Sequence, residues 1–167
     1  MGDPKKPRKK YNTLRNPWDQ TELINELKII GEYGLRNKHE LWKASTELSR
    51  IRSQARQLLA APTDRRAKVE KQFLNSLEKI GLLTTDKSLD ATLNLSVQDL
   101  LNRRLQTVVW KVNLAKSPYE ARQLIVHRHI MVGERIVNRP GYVVKGEEEK
   151  LIKPLIDANQ RAEKGAA

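Results

Sequence analysis

The chain has no cysteine among its 167 residues, which removes disulfides and thiolate metal sites from consideration. Histidine is nearly as scarce: His39, His127 and His129 are too few and too badly spaced for an ordinary zinc set. No stretch approaches 18 consecutive apolar residues, so no membrane-spanning helix is predicted. The positive charges near the N-terminus are not followed by an apolar segment, so no secretory signal is read there and an intracellular protein is expected. A glycine-rich phosphate loop, a G-x-S-x-G elbow and an H-E-x-x-H helix are all missing. Carboxylates are scattered over helices instead of paired. His127-Arg128-His129 could hold a general base, but no nucleophile accompanies it. These absences predict a non-enzyme with no cofactor and no metal.

Acid is also in short supply. Twenty Asp+Glu face 32 Lys+Arg, a net charge of +12 with a pI near 10, while hydrophobic residues make up only 38%. That balance predicts a modest core and a polyanionic partner, nucleic acid before an anionic membrane surface. A membrane-surface or DNA-binding protein would call for an amphipathic Trp/Phe-rich helix or a helix-turn-helix, and neither is recognisable.

The chain divides into four stretches. Residues 1–17 carry six basic residues, one acid and three prolines, and are expected to form a basic extended arm that orders only on RNA. Residues 18–95 are expected to form a helical lobe. Its first helix has Leu23, Ile24, Leu27 and Ile30 as an apolar stripe and breaks at Gly31 and Gly34. Its second runs through Leu41, Ala44, Leu48, Ile51, Ala55, Leu58 and Leu59 to a stop at Pro62, with Lys43, Arg50, Arg52 and Arg56 opposite. The third, around 64–80, shows Val69, Phe73, Leu74, Leu77 and Ile80, with Gly81 placed to end it in a left-handed turn. Residues 84–95 read as polar and irregular.

Residues 96–147 are expected to pair two helices with a small sheet. Ser96 and Asp99 form a capping-box-like start to a helix with Leu101, Leu105, Val108 and Val112 on one face. Ser117, Pro118 and Glu120 open another, with Ala121, Leu124 and Ile125 inward and Tyr119, Arg122, Gln123 and Arg128 at the rim. Ile130–Val132, Arg135–Val137 and Tyr142–Val144 are strand-like, joined by turns at Gly133-Glu134 and at Arg139-Pro140-Gly141. Residues 148–167 form a C-terminal extension whose apolar run is interrupted by Pro154. The fold class is α+β.

Charge concentrates in the third stretch. Between Arg103 and Arg139 there are eight basic residues and two acids, 8 − 2 = +6 in 37 residues, half of the excess charge of the chain. Helices with basic outer faces braced by a sheet present a comb of guanidinium groups, suited to phosphates and to the wide minor groove of folded RNA.

RRLQTVVWKVNLAKSPYEARQLIVHRHI, followed by IVNRPGYVV, resembles the S-four RNA-binding domain. ELKIIGEYGLRNKHELWK, residues 26–43, resembles the N-terminal signature of ribosomal small-subunit protein four (the uS-four family) in its archaeal and eukaryotic form. The resemblance covers roughly residues 1–147. It implies a structural ribosomal protein that binds small-subunit rRNA at a helix junction in the five-prime domain early in assembly. It also implies a place near the mRNA entry channel, beside ribosomal small-subunit proteins five and three, and a part in decoding accuracy. Many bacterial members hold zinc with four cysteines, which this sequence lacks, and the longer tail of eukaryotic members is absent, favouring the archaeal type. A frequent V-N-G turn of the domain is here Val132-Gly133-Glu134.

Carried over residue by residue, the resemblance puts Arg103, Arg104, Gln106, Thr107 and Lys111 on the RNA face of the domain. Lys116, Ser117, Tyr119, Arg122, Gln123, His127, Arg128 and His129 continue it. In the N-terminal lobe Tyr33, Arg36, Asn37 and Lys38 match the signature, and Arg8, Lys9, Lys10 and Arg15 carry the charge of the arm. Bland alternatives stand beside three of these: Tyr33 as a core residue, Gln106 and Thr107 as ordinary helix surface. Two other functions compete: an assembly or processing factor with the same domain, and an RNA-modifying enzyme, for whose catalytic domain no residues are left over.

Overall fold

The computed structural model describes residues 2, 9–13, 16–83 and 87–155, at 63–65 the backbone alone. Arg8 and Arg15 of the expected RNA-binding set lie outside these residues. Among the described residues the architecture is α+β: five α-helices in the N-terminal part, then two α-helices, a 3-10 turn at Glu149–Leu151 and a three-stranded antiparallel sheet.

Helix α1 (Gln20–Glu32) is capped by Asp19, whose carboxylate accepts from the Thr21 amide at 3.0 Å. It ends where Gly34 takes φ +59 and the Leu35 amide donates to the Ile30 carbonyl, a left-handed turn that glycine adopts without strain. The expected apolar stripe is rotated. Ile24 and Leu27 are exposed, Leu27 by 58%, while Glu26 is buried and accepts from Trp42 Nε1 at 2.8 Å. Leu23, Ile29, Ile30 and Tyr33 flank Glu26 on the inward side. With apolar residues on both sides, spacing alone does not fix which side docks.

Helix α2 (Lys38–Ala60), capped by Asn37, buries Leu41, Leu48, Ile51 and Ala55 as expected. Helix α3 (Thr63–Ile80) ends at Gly81 with φ +78, again as the sequence implies, although Val69 faces solvent. Leu48, Ile51, Leu77, Leu82, Leu83, Leu95 and Leu100 form the core of this part. The region expected to be irregular contains a short helix α4 (Leu89–Asn94), capped by Ser88. Part of the arm is also anchored: Tyr11 packs against His39 and Trp42 at ring distances of 4.8 and 5.9 Å, and the Asn12 amide donates to Thr46 Oγ1.

The helix expected to run on from Ser96 is two helices. The capping box of Ser96 and Asp99 opens α5 (Val97–Asn102), and α6 (Leu105–Lys111) begins after a break at Arg103-Arg104. Helix α7 (Pro118–Val126) has Ser117 as its cap, Pro118 in its first turn and Glu120 accepting from the Lys116 amide. Strand β1 (Ile130–Val132) pairs with β2 (Arg135–Ile136) through a two-residue turn with positive φ at Gly133 alone, the pattern of a II′ hairpin. The other partner of β1 is β3 (Ile152–Pro154), from the stretch expected to be an extension, and not Tyr142–Val144. Because β3 is an edge strand, Pro154 costs no ladder bond there.

Candidate nucleic-acid interface

The break between α5 and α6 determines where the RRLQT side chains go. Arg104 is extended (φ −72°, ψ 141°) and bridges Val143, and no side chain caps α6. Its first amides are met instead by backbone carbonyls of a distant segment: Leu105 donates to Tyr142 at 2.7 Å and Gln106 to Pro140 at 3.3 Å. This is why Tyr142–Val144, extended as expected, caps a helix instead of joining the sheet.

Several residues expected on the RNA face therefore point inward. Gln106 is 1% exposed, and its Nε2 reaches the carbonyls of Gly34 and Pro118, both at 2.9 Å, and Tyr33 at 3.3 Å. Thr107 is buried and its hydroxyl donates to the Leu101 carbonyl at 2.8 Å. Tyr33 is buried with Leu35, Leu41 and Leu101. For these three the expectation of an RNA-facing side chain is corrected: the polar atoms of Gln106 and Thr107 serve the interior, and burial pushes the Tyr33 hydroxyl above its ordinary pKa, helped by the charges of Glu32 and Asp99. Ser117 is likewise occupied, its oxygen accepting from the Glu120 amide.

The arginines are engaged too. Arg103 donates from Nε to the Ile80 carbonyl at 2.9 Å and from Nη1 to Glu149 at 3.0 Å. Arg104 meets Glu40 Oε2 at 2.8 Å, and Arg122 meets Glu40 Oε1 at 2.7 Å and Oε2 at 3.3 Å, the two-toothed geometry a guanidinium offers a carboxylate. Burial raises the Glu40 carboxyl, but the hydrogen bonds from Arg122 and Arg104 and their charges outweigh it, holding the group below the usual carboxylate range. Glu40 was not among the residues the sequence singled out; an acid inside the signature of a chain so basic was the available signal.

The remaining residues lie outside. Lys111, Lys116, Tyr119, Gln123, His127 and Arg128 are exposed and His129 half-buried, the two histidine rings facing each other at 6.4 Å. Arg36 and Asn37 are exposed at the start of α2; Lys38 is half-buried, 3.2 Å from Glu26. Lys9 stands 4.9 Å over the Tyr11 ring. Lys10 joins Lys43, Arg50, Arg104 and Arg122 around a cleft of about 440 Å³ between α2 and the second lobe. Lys43 and Arg50 were read only as the outer face of α2; which lobe that face looks toward is not encoded locally. Among the described residues no group of three His, Asp or Glu is placed to hold a metal ion.

The arrangement offers exposed cations on both lobes, which suits binding an anion. Residues 5–102 match the family model "Ribosomal protein S4/S9 N-terminal domain", and residues 103–150 match "S4 domain". Small ribosomal subunit protein uS4 of Ignicoccus hospitalis is 53% identical over 152 residues, 91% of this chain and 92% of its own. The proteins of the same name from Hyperthermus butylicus and Nitrosopumilus maritimus are each 51% identical over 91% of this chain, covering 86% and 76% of their own lengths. The chain belongs to the uS4 family of small ribosomal subunit proteins.

Proposed function

We propose that the chain binds small-subunit rRNA as a structural component, through the exposed cations of both lobes and not through the RRLQT side chains. Family membership places it in the small ribosomal subunit, in the cytoplasm. The observation that carries the proposal is a division of labour. Arg103, Arg104 and Arg122 are spent on carboxylates, while Lys111, Lys116 and Arg128 are exposed, Lys111 donating to the neutral side chain of Asn102 at 3.0 Å. A phosphate backbone needs accessible cations, so the second set, with Tyr119, Gln123, His127 and His129 beside it, is assigned to the RNA. Arg36 at the start of α2, Lys9 and Lys10 on the arm, and Lys43 and Arg50 by the cleft extend the surface to the first lobe, while Lys38 pairs with Glu26 and the Asn37 side chain caps α2.

The role proposed with it is the one the family resemblance implies: binding at an rRNA helix junction early in subunit assembly, and support of decoding accuracy near the mRNA entry channel. Small-subunit proteins three and five are its proposed neighbours. Its work is binding, with no catalytic step. The test is co-sedimentation with mature small subunits after a moderate salt wash, together with affinity for a five-prime-domain rRNA fragment. Retention on mature subunits and nanomolar-range, salt-sensitive binding are expected; presence only on precursor particles would point to an assembly factor instead.

A further inference from the structure

Glu40 occupies an unusual place in so basic a protein. It stands in the first turn of α2, held by the Asn37 cap, and receives one arginine from the start of α6 and another from the middle of α7. The same seam contains Gln106, whose Oε1 accepts from Arg122 Nη1 at 3.3 Å while its Nε2 reaches Gly34 and Pro118. Gly34 leaves no room for adjustment: a Cβ there would stand 2.8 Å from Pro118 Cβ and 3.0 Å from Gln106 Nε2. The side chains of Glu40, Arg104 and Arg122 are only 20%, 10% and 22% exposed. So the ion pairs are poorly screened, and their geometry is fixed by helices on both sides.

We infer that Glu40 is a positioning residue, whose carboxylate locks the sheet-bearing lobe against α2 and thereby sets the spacing between the cations that each lobe offers to RNA. Its consequence for binding rests on the rRNA-binding function proposed above; its geometry does not. A rival reading makes Glu40 a placeholder that an RNA phosphate displaces, freeing two arginines. The two readings differ in sign. On charge alone, removing a carboxylate from a polyanion-binding surface tightens binding. If Glu40 positions the lobes, removing it weakens binding, because the RNA must then bear the ordering that the seam supplied.

The absence of cysteine makes the measurement clean, since spin labels can be placed at will. Val69→Cys on α3 and Ile136→Cys on β2, both exposed, put one label on each lobe of the full-length protein. The distance distribution between labels is recorded without RNA, and affinity for a five-prime-domain rRNA fragment is measured at several salt concentrations. In Glu40→Gln the distribution should broaden and the affinity fall on the order of tenfold, with the slope of log K against log salt unchanged. Arg122→Lys keeps the charge but loses the planar fork, so it should broaden the distribution less and keep the same slope; it carries the test if Glu40→Gln does not fold. A distribution as narrow as wild type, or tighter binding by Glu40→Gln, overturns the inference. Failure of the wild type to bind the fragment would sink the RNA-binding function instead, while the label distances still judge the seam.

Discussion

Arg128 sits at φ +63, in the left-handed position that follows α7 and that glycine ordinarily fills. Its amide donates to Ile125 and that of His129 to Leu124, so the turn itself closes a helix in the usual way. An arginine there carries strain of about 1 kcal/mol that glycine would not. Strain kept at an exposed cation is the mark of a residue held for its side chain. Arg128→Gly should therefore raise stability in a thermal melt while weakening rRNA binding and flattening its salt dependence; a variant that binds as well as wild type would deny the arginine its role. Gln106 behaves oppositely. Gln106→Ala leaves the Gly34 and Pro118 carbonyls and Arg122 short of partners, costing about 1–3 kcal/mol in denaturant titration, with the salt slope of the surviving folded protein unchanged. Glu40 adds a pH signature. Its carboxyl is depressed in the folded state, so its contribution is complete above the ordinary value of 4.5 and fades as pH falls through the lower folded value. Stability should carry this contribution undiminished between pH 5 and 8 and lose it on further acidification, and Glu40→Gln should abolish that acid-side loss.

At the level of elements, local chemistry was legible and distant chemistry was not. Ser96 with Asp99 and Ser117 with Pro118 announce helix starts because the capping oxygen lies within three residues of the amide it meets. Ser117→Ala should cost about 1 kcal/mol by melting temperature, and an unchanged melt would remove the cap from the account. The break at Arg103-Arg104 left no such mark. Its cause is the pair of carbonyls at Pro140 and Tyr142, far along the chain, and an apolar spacing that runs on through Leu101, Leu105 and Val108 conceals it. The same holds for β3, hidden by Pro154 until its edge position is known, and for α4, too short to build a period. Gly34 was read as a breaker, yet its second duty, close approach to Pro118, depends on the packing of the two lobes. Gly34→Ala should be destabilising by more than about 1 kcal/mol, since it meets both a left-handed φ and a steric clash.

Across the whole molecule, motif predicted the family correctly and charge predicted a polyanionic partner, but the count of arginines did not ask what each one holds. RRLQT reads as a cationic comb because adjacent arginines and polar residues on a supposed helix share a face. Folded, Arg103 ties α6 to the end of α3 and to Glu149, Arg104 ties it to α2, and Gln106 and Thr107 close the interior. Buried pairing of this kind is invisible in sequence because the partners, Ile80, Glu40 and Leu101, lie on separate helices. The exposure of the remaining set was legible, since Lys111 and Gln123 need only point away from the stripe of their own helices, while Lys116 precedes α7 and His127 ends it. The most direct test compares an exposed cation with an arginine paired inside the protein in one salt titration against a five-prime-domain rRNA fragment. Arg128→Gln should lower the magnitude of the log K against log salt slope by on the order of 0.7–0.9 with little change in melting temperature. Arg103→Gln should lower the melting temperature and leave the slope where it was. A flattened slope in Arg103→Gln with an undisturbed melt, alongside an unaltered slope in Arg128→Gln, would contradict the assignment of RNA contact to the exposed cations.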